Sequence, residues 1–210
     1  MGIVDEQTKK EVHKQLEKLE DKVKLVFFEG GESQYIDQIK EILDLMDESS
    51  EKVEIEMYNE DSDEVKDYDV DKFPVIFIEG KNKGEIKFYG IPAGYEFGSF
   101  LNAVKLASSG NYHLESNSEN FLEKLEKKLR LDVFFTPSCP HCPKAANLAI
   151  NYAMFSKRVS AGIVESGEFQ DWAKEHNVSG VPHTVINNGD GEFVGAYPEL
   201  RALQNIRESF

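Results

Sequence analysis

One order of elements occurs twice along this chain, and that repeat constrains its fold more than any other feature. In the first half, Glu6–Lys22 reads as a helix with Val12, Leu16 and Leu19 on one face. A strand follows at Lys24–Phe28, then a helix at Gln34–Met46 and a strand at Val53–Met57. The polar stretch Asn59–Tyr68 reads as holding a short helix. Strands at Val75–Ile78 and Ile86–Tyr89, joined by a turn at Gly80–Gly84, lead to a helix at Tyr95–Leu106.

The second half returns to the same order. Helix Glu119–Leu129 precedes strand Leu131–Phe135, and a long helix runs from near Cys139 to Phe155. Strand Val159–Val164, helix Phe169–His176, strands Thr184–Ile186 and Glu192–Val194, and a helix from Glu199 complete it. Local echoes support the match: Phe27-Phe28 with Phe134-Phe135, Phe73-Pro74 with Val181-Pro182, and Tyr89-Gly90-Ile91-Pro92 with Val194-Gly195-Ala196-Tyr197-Pro198. Between the halves, Ser108–Asn117 is rich in Ser, Gly and Asn and carries no apolar stripe, so it reads as a linker. The expected units are 1–112 and 113–210. With 40% apolar residues in 210, each unit can build its own core. Each order of strands and helices predicts a mixed sheet, parallel first and antiparallel last, covered by helices.

Charge excludes some partners. The chain carries 39 Asp and Glu against 24 Lys and Arg, a formal net charge of −15. Such a surface repels nucleic acid and anionic membranes, so neither is expected as a partner. No apolar run approaches the ~18 residues of a membrane span. The N-terminus shows no basic start followed by an apolar core, which predicts a cytoplasmic location.

The two cysteines concentrate the chemistry. Cys139-Pro140-His141-Cys142 lies between an apolar strand and an amphipathic helix whose stripe is Ala145, Leu148, Ala149, Tyr152 and Ala153. The expected placement puts Cys139 at the helix N-cap and Pro140 at the first helical position, where its missing N–H costs nothing. Residues three apart then share a face, within the ~4.4–6.8 Å Cα separation that a disulfide needs. A helix N-terminus favours a thiolate by about 0.3–1 kcal/mol, and the adjacent His141 adds to this when protonated. A structural zinc would want four ligands, and the chain offers these two cysteines with His141 or His183. An iron–sulfur cluster would need a second chain. An inert pair is the third alternative. His13, His113 and His176 are isolated and read as ordinary surface or packing residues, and Trp172 as core. No cofactor is expected.

Three blocks carry a family likeness: FFTPSCPHCPKAANLA, VESGEFQDWAKEHNVSGVPHTVI and VGAYPEL, in that order. With the doubled organisation, the chain resembles the glutaredoxin-like protein disulfide oxidoreductases of archaea and thermophilic bacteria. That resemblance implies an α/β protein of two tandem thioredoxin-like folds, each with a mixed sheet of four or more strands. It implies thiol–disulfide exchange, with Cys139 attacking and Cys142 resolving the mixed disulfide. Pro140 and His141 would support the thiolate, and Val181 with a cis Pro182 would position substrate. A carboxylate beneath the dithiol would help deprotonate the resolving thiol; Glu165 and Asp132 are the candidates. The partners implied are protein disulfide or dithiol substrates and a thioredoxin-reductase-like flavoprotein.

The family carries a C-x-x-C in each unit, and this chain departs from it. Ser33-Gln34-Tyr35-Ile36 stands where the first pair belongs, while Pro74 is retained. The first unit therefore reads as a scaffold or docking surface. A single surviving dithiol also suits an electron carrier from a flavoprotein reductase to a peroxiredoxin. A reading from another class is a non-catalytic substrate-binding or chaperone module.

Overall fold

The computed structural model describes residues 5–210. Its elements follow the repeated order: α1 (Glu6–Leu16), β1 (Val23–Glu29), α2 (Ile36–Ser49), β2 (Val53–Asn59), α3 (Glu64–Asp67), β3 (Val75–Glu79), β4 (Glu85–Tyr89) and α4 (Glu96–Ser109). The second set is α5 (Ser116–Glu123), β5 (Leu129–Phe135), α6 (Cys142–Phe155), β6 (Val159–Glu165), α7 (Gln170–Glu175), β7 (His183–Ile186), β8 (Gly191–Val194) and α8 (Glu199–Glu208). The fold is α/β, two tandem thioredoxin-like folds.

The two four-stranded sets do not form separate sheets. Strands run in the order β2-β1-β3-β4-β6-β5-β7-β8, one mixed sheet in which β4 pairs parallel with β6. Within each set the first two strands are parallel and the last two antiparallel. Alternation along the strands sends side chains to two cores. On one face, Phe27, Phe88, Val133, Phe135 and Ile163 pack under α1, α2, α4, α6 and α8. On the other, Phe28, Phe77, Tyr89, Phe134 and Val164 pack against the α3 and α7 regions, with Trp172 among them. Each such fully buried aromatic or branched side chain contributes about 1.5–3 kcal/mol.

Several boundaries differ from the sequence pattern. Helix α1 stops at Leu16, although Leu19 is buried. The backbone that follows finds partners elsewhere: Ser108 Oγ accepts from the Glu20 and Asp21 amides at 2.8 and 2.9 Å. Lys52 Nζ donates to the Leu19 carbonyl at 2.6 Å. The helix expected at Glu119–Leu129 is α5, which ends at Glu123, because Leu129 is already in the sheet opposite Val159. In the expected linker, α4 runs on to Ser109 and closes on Gly110 at φ +77°, a left-handed position that suits glycine. Among the described residues, no helix is long and apolar enough to cross a membrane.

Candidate active site

Cys139 and Cys142 form a disulfide with Cα atoms 5.6 Å apart. The turn that carries them leaves β5 at Phe135, and the Cys139 amide donates back to the Thr136 carbonyl at 3.0 Å. Here the structure corrects the expected capping. Cys139 lies in the turn, His141 is the N-cap of α6, and Cys142 is its first residue. The proline that occupies the first turn is Pro143, not Pro140. The Thr136–Cys139 bond explains the shift, since it closes a turn of its own before the helix starts.

This placement buries the two cysteines unequally. Cys142 starts the buried stripe of Ala145, Ala146 and Ala149 and has no exposure, whereas Cys139 retains 8%. Ser138, Pro140 and His141 around it are exposed. Val181, half-buried, packs against the apolar cluster that holds both cysteines. The Val181-Pro182 bond is cis, and so is Phe73-Pro74 at the matching point of the first repeat. The loop beyond is tied down alike in both: the Gly195 amide donates to Pro182 O at 2.8 Å and the Gly90 amide to Pro74 O at 3.1 Å.

The two carboxylates singled out from sequence lie on opposite faces of the sheet. Glu165 follows Ile163 on the face that packs against the cysteines' helix, directly across from Phe135. It is buried; burial pushes its carboxyl up, and Oε2 accepts the Glu168 amide at 2.7 Å. Asp132 alternates instead with Phe134, on the other face. A one-residue offset along a strand is enough to move a side chain across the sheet. There Asp132 accepts from Arg130 Nε at 2.8 Å, and burial raises its pKa to about 6 against the pull of that guanidinium. Gly162 makes room for it, since a Cβ there would sit 2.4 Å from Asp132 Oδ1. His183 also faces away, buried with Nε2 3.4 Å from Glu192.

A third carboxylate does not stand out from the sequence pattern. Glu96, in the first turn of α4, has no exposure and no hydrogen-bond partner for either oxygen. Burial raises its pKa to about 7. Its position carries a sequence signal: Glu96, Phe100 and Val104 are spaced by four on one helix face, so an acidic residue sits in an apolar stripe.

The first unit reaches the second unit's turn. A cavity of about 440 Å³ is lined by Ser33 and Tyr35 from one and by Pro137, Glu165 and Glu168 from the other. The Ser33 hydroxyl donates to Glu168. Among the described residues, no group of three or more His, Cys, Asp and Glu side chains is placed to hold a metal ion.

Comparison with known proteins agrees with this geometry. A family model described as a thioredoxin domain matches residues 129–208. Thioredoxin of Methanocaldococcus jannaschii is 34% identical over 82 residues, 39% of this chain and 95% of that protein. An alkyl hydroperoxide reductase subunit of Escherichia coli is 26% identical over 194 residues, 88% of this chain. The chain spans about a third of that relative's length, 34%. Among solved structures, a protein disulfide oxidoreductase from Aeropyrum pernix superposes with a TM-score of 0.86 at 23% identity, covering 97% of this chain and 92% of that one. AhpF, an alkylhydroperoxide reductase subunit of Enterococcus faecalis, gives 0.85 at 23%, covering 97% and 99%. The two structures share the doubled fold.

Proposed function

The chain belongs to the thioredoxin family, and from that premise we propose that it catalyses thiol–disulfide exchange on other proteins through the single couple Cys139/Cys142. The observation that carries this reading is the unequal burial of the two cysteines on one turn, 8% exposed at Cys139 and none at Cys142. Cys139 is the one an incoming chain can reach, and Cys142 sits behind it at the head of α6.

In the reductive direction the Cys139 thiolate attacks a substrate disulfide, forms a mixed disulfide and releases one substrate thiolate. Cys142 then attacks Cys139 Sγ, releases the second substrate thiol and closes the Cys139–Cys142 disulfide. Two electrons pass to substrate, and an external dithiol restores the couple. Pro140 and His141 shape the exposed side of the turn, and the Val181 backbone before Pro182 offers hydrogen bonds to the substrate chain. Glu165 is a buried acid beside Pro137 of the turn, suited to hold the proton that Cys142 gives up. The units 1–112 and 113–210 divide the labour, with the chemistry in the second. Insulin reduction by dithiothreitol tests the reading. The wild type is expected to accelerate it, and Cys139→Ser to lose the acceleration. A Cys139→Ser chain as fast as wild type would leave a binding module as the better reading.

The similarity to the alkyl hydroperoxide reductase relative over 88% of this chain favours a second, narrower reading. The same couple would carry electrons from a flavoprotein reductase to a peroxiredoxin. Reconstitution with both purified partners and a hydroperoxide distinguishes it, because a general reductase gives no rate dependent on the chain.

A further inference from the structure

The first unit has no cysteine, yet its backbone and side chains meet the second unit's active turn on both shoulders. On the strand side, the Tyr95 amide donates to the Pro137 carbonyl at 3.1 Å, two residues before Cys139. Gly94 lies so close that a Cβ would fall 2.1 Å from the same oxygen, and its φ of +63° is one that glycine accepts freely. On the helix side, Asn102 of α4 donates to Asn147 Oδ1 at 2.6 Å, and Asn147 Nδ2 donates to the Pro143 carbonyl at 2.7 Å. The loop that leads into Gly94 is itself anchored across the units, with the Ile91 amide donating to Glu168 Oε1 at 2.6 Å.

From these contacts we infer that the Ile91–Tyr95 loop and α4 of the first unit are positioning elements for the dithiol. They hold Pro137 and Pro143, the residues flanking the C-P-H-C turn, at the spacing that lets the disulfide close. This inference rests on the exchange function proposed above and assigns the cysteine-free unit a part in it. The disulfide needs one backbone geometry, whereas the dithiol tolerates many. A brace that restricts the turn therefore favours closure, and loosening it favours the open dithiol.

The equilibrium to measure is protein dithiol plus oxidised glutathione against protein disulfide plus two reduced glutathiones. Tyr95→Pro removes the N–H that bonds Pro137 at a residue whose φ of −65° is proline's own value. Tyr95→Ala keeps the N–H and deletes only an exposed ring. Gly94→Ala drives a methyl into the Pro137 carbonyl. Tyr95→Pro and Gly94→Ala are expected to lower the equilibrium constant about fivefold, the equivalent of one ordinary hydrogen bond. Tyr95→Ala is expected to match wild type. A wild type that equilibrates with glutathione, together with a folded Tyr95→Pro that matches it, would overturn the brace alone. An equal shift in Tyr95→Ala would do the same. A wild type that never equilibrates would overturn the exchange function, and the brace with it.

Discussion

Asp71 of the first unit lies 2.7 Å from the guanidinium of Arg130 in the second, and that guanidinium also holds Asp132 at 2.8 Å. Arg130 is stacked over Trp172, and Tyr89 donates its hydroxyl to Asp71 at 2.7 Å. The side chain of Asp132 is 1% exposed, so it depends on Arg130 for its charge. Arg130→Met is expected to cost about 3 kcal/mol at pH 8, because an anion is left buried without its cation. At pH 5 the loss should shrink, since Asp132 can then take a proton. Urea unfolding at the two pH values measures this, and an equal loss at both would contradict it.

A second pH effect comes from Glu96. Its folded-state pKa of about 7 lies above its ordinary 4.5, so the folded chain binds more protons between those values. Stability should therefore fall as pH rises from 4.5 through 7, by up to about 3 kcal/mol for this group. Asp132 and Glu165 are shifted the same way and add to the slope. Glu96→Gln is expected to raise the melting temperature at pH 8 and leave it nearly unchanged at pH 4.5. Thermal scans across that range decide it; a parallel shift at every pH would assign the effect to packing.

The accessible sulfur sets the third expectation. After reduction, brief alkylation near neutral pH should modify Cys139 before Cys142, because the helix and its alanine stripe cover Cys142. Peptide mass spectrometry reads the order directly. Preferential labelling of Cys142 would reverse the assigned roles of attacking and resolving thiol.

What is legible in the sequence depends on range. The repeat, the strand order within each half and the two X-Pro positions follow from local periodicity and turn chemistry. The join between the halves does not, because a β4 edge and a β6 edge look alike whether they meet each other or water. The start of α6 lies two residues beyond the expected one, since a Thr136–Cys139 turn bond competes with the helix for the same backbone. Asp132 is a credible acid by sequence and lies on the wrong face by one residue. Glu96 escapes notice because an acid in a helix's first turn is ordinarily a solvated one.

His141 offers a test of how the thiolate is stabilised. It is exposed, adjacent to Cys142 and at the N-cap of α6, where positive charge or a donor would favour a Cys139 anion. His141→Gly is expected to lower the reduction potential, by about 30 mV for each ~1.4 kcal/mol of thiolate stabilisation removed. A glutathione titration showing no change, or a rise, would exclude a role for this side chain in redox poise.

The last expectation concerns whether the dithiol unit can work alone. In the intact chain β6 is paired along its whole length with β5 on one side, and from Ser160 to Val164 with β4 on the other. Cutting the chain near residue 112 would strip β4 from that edge and expose a strand of Val159, Ala161, Ile163 and Val164. It would also uncover the face of α6 that packs on α4, and remove Asp71 from Arg130. An exposed apolar edge strand invites pairing with other copies. A fragment of residues 113–210 is therefore expected to aggregate or unfold, and to show little activity even toward a small aromatic disulfide. Mixing it with a separately expressed 1–112 fragment should restore both folding and exchange, because the missing contacts are non-covalent. Circular dichroism and sedimentation report the fold, and the small-disulfide assay the chemistry. A soluble, folded, fully active 113–210 fragment would show that the first unit is dispensable for the dithiol and that the shared sheet is only a convenience of assembly.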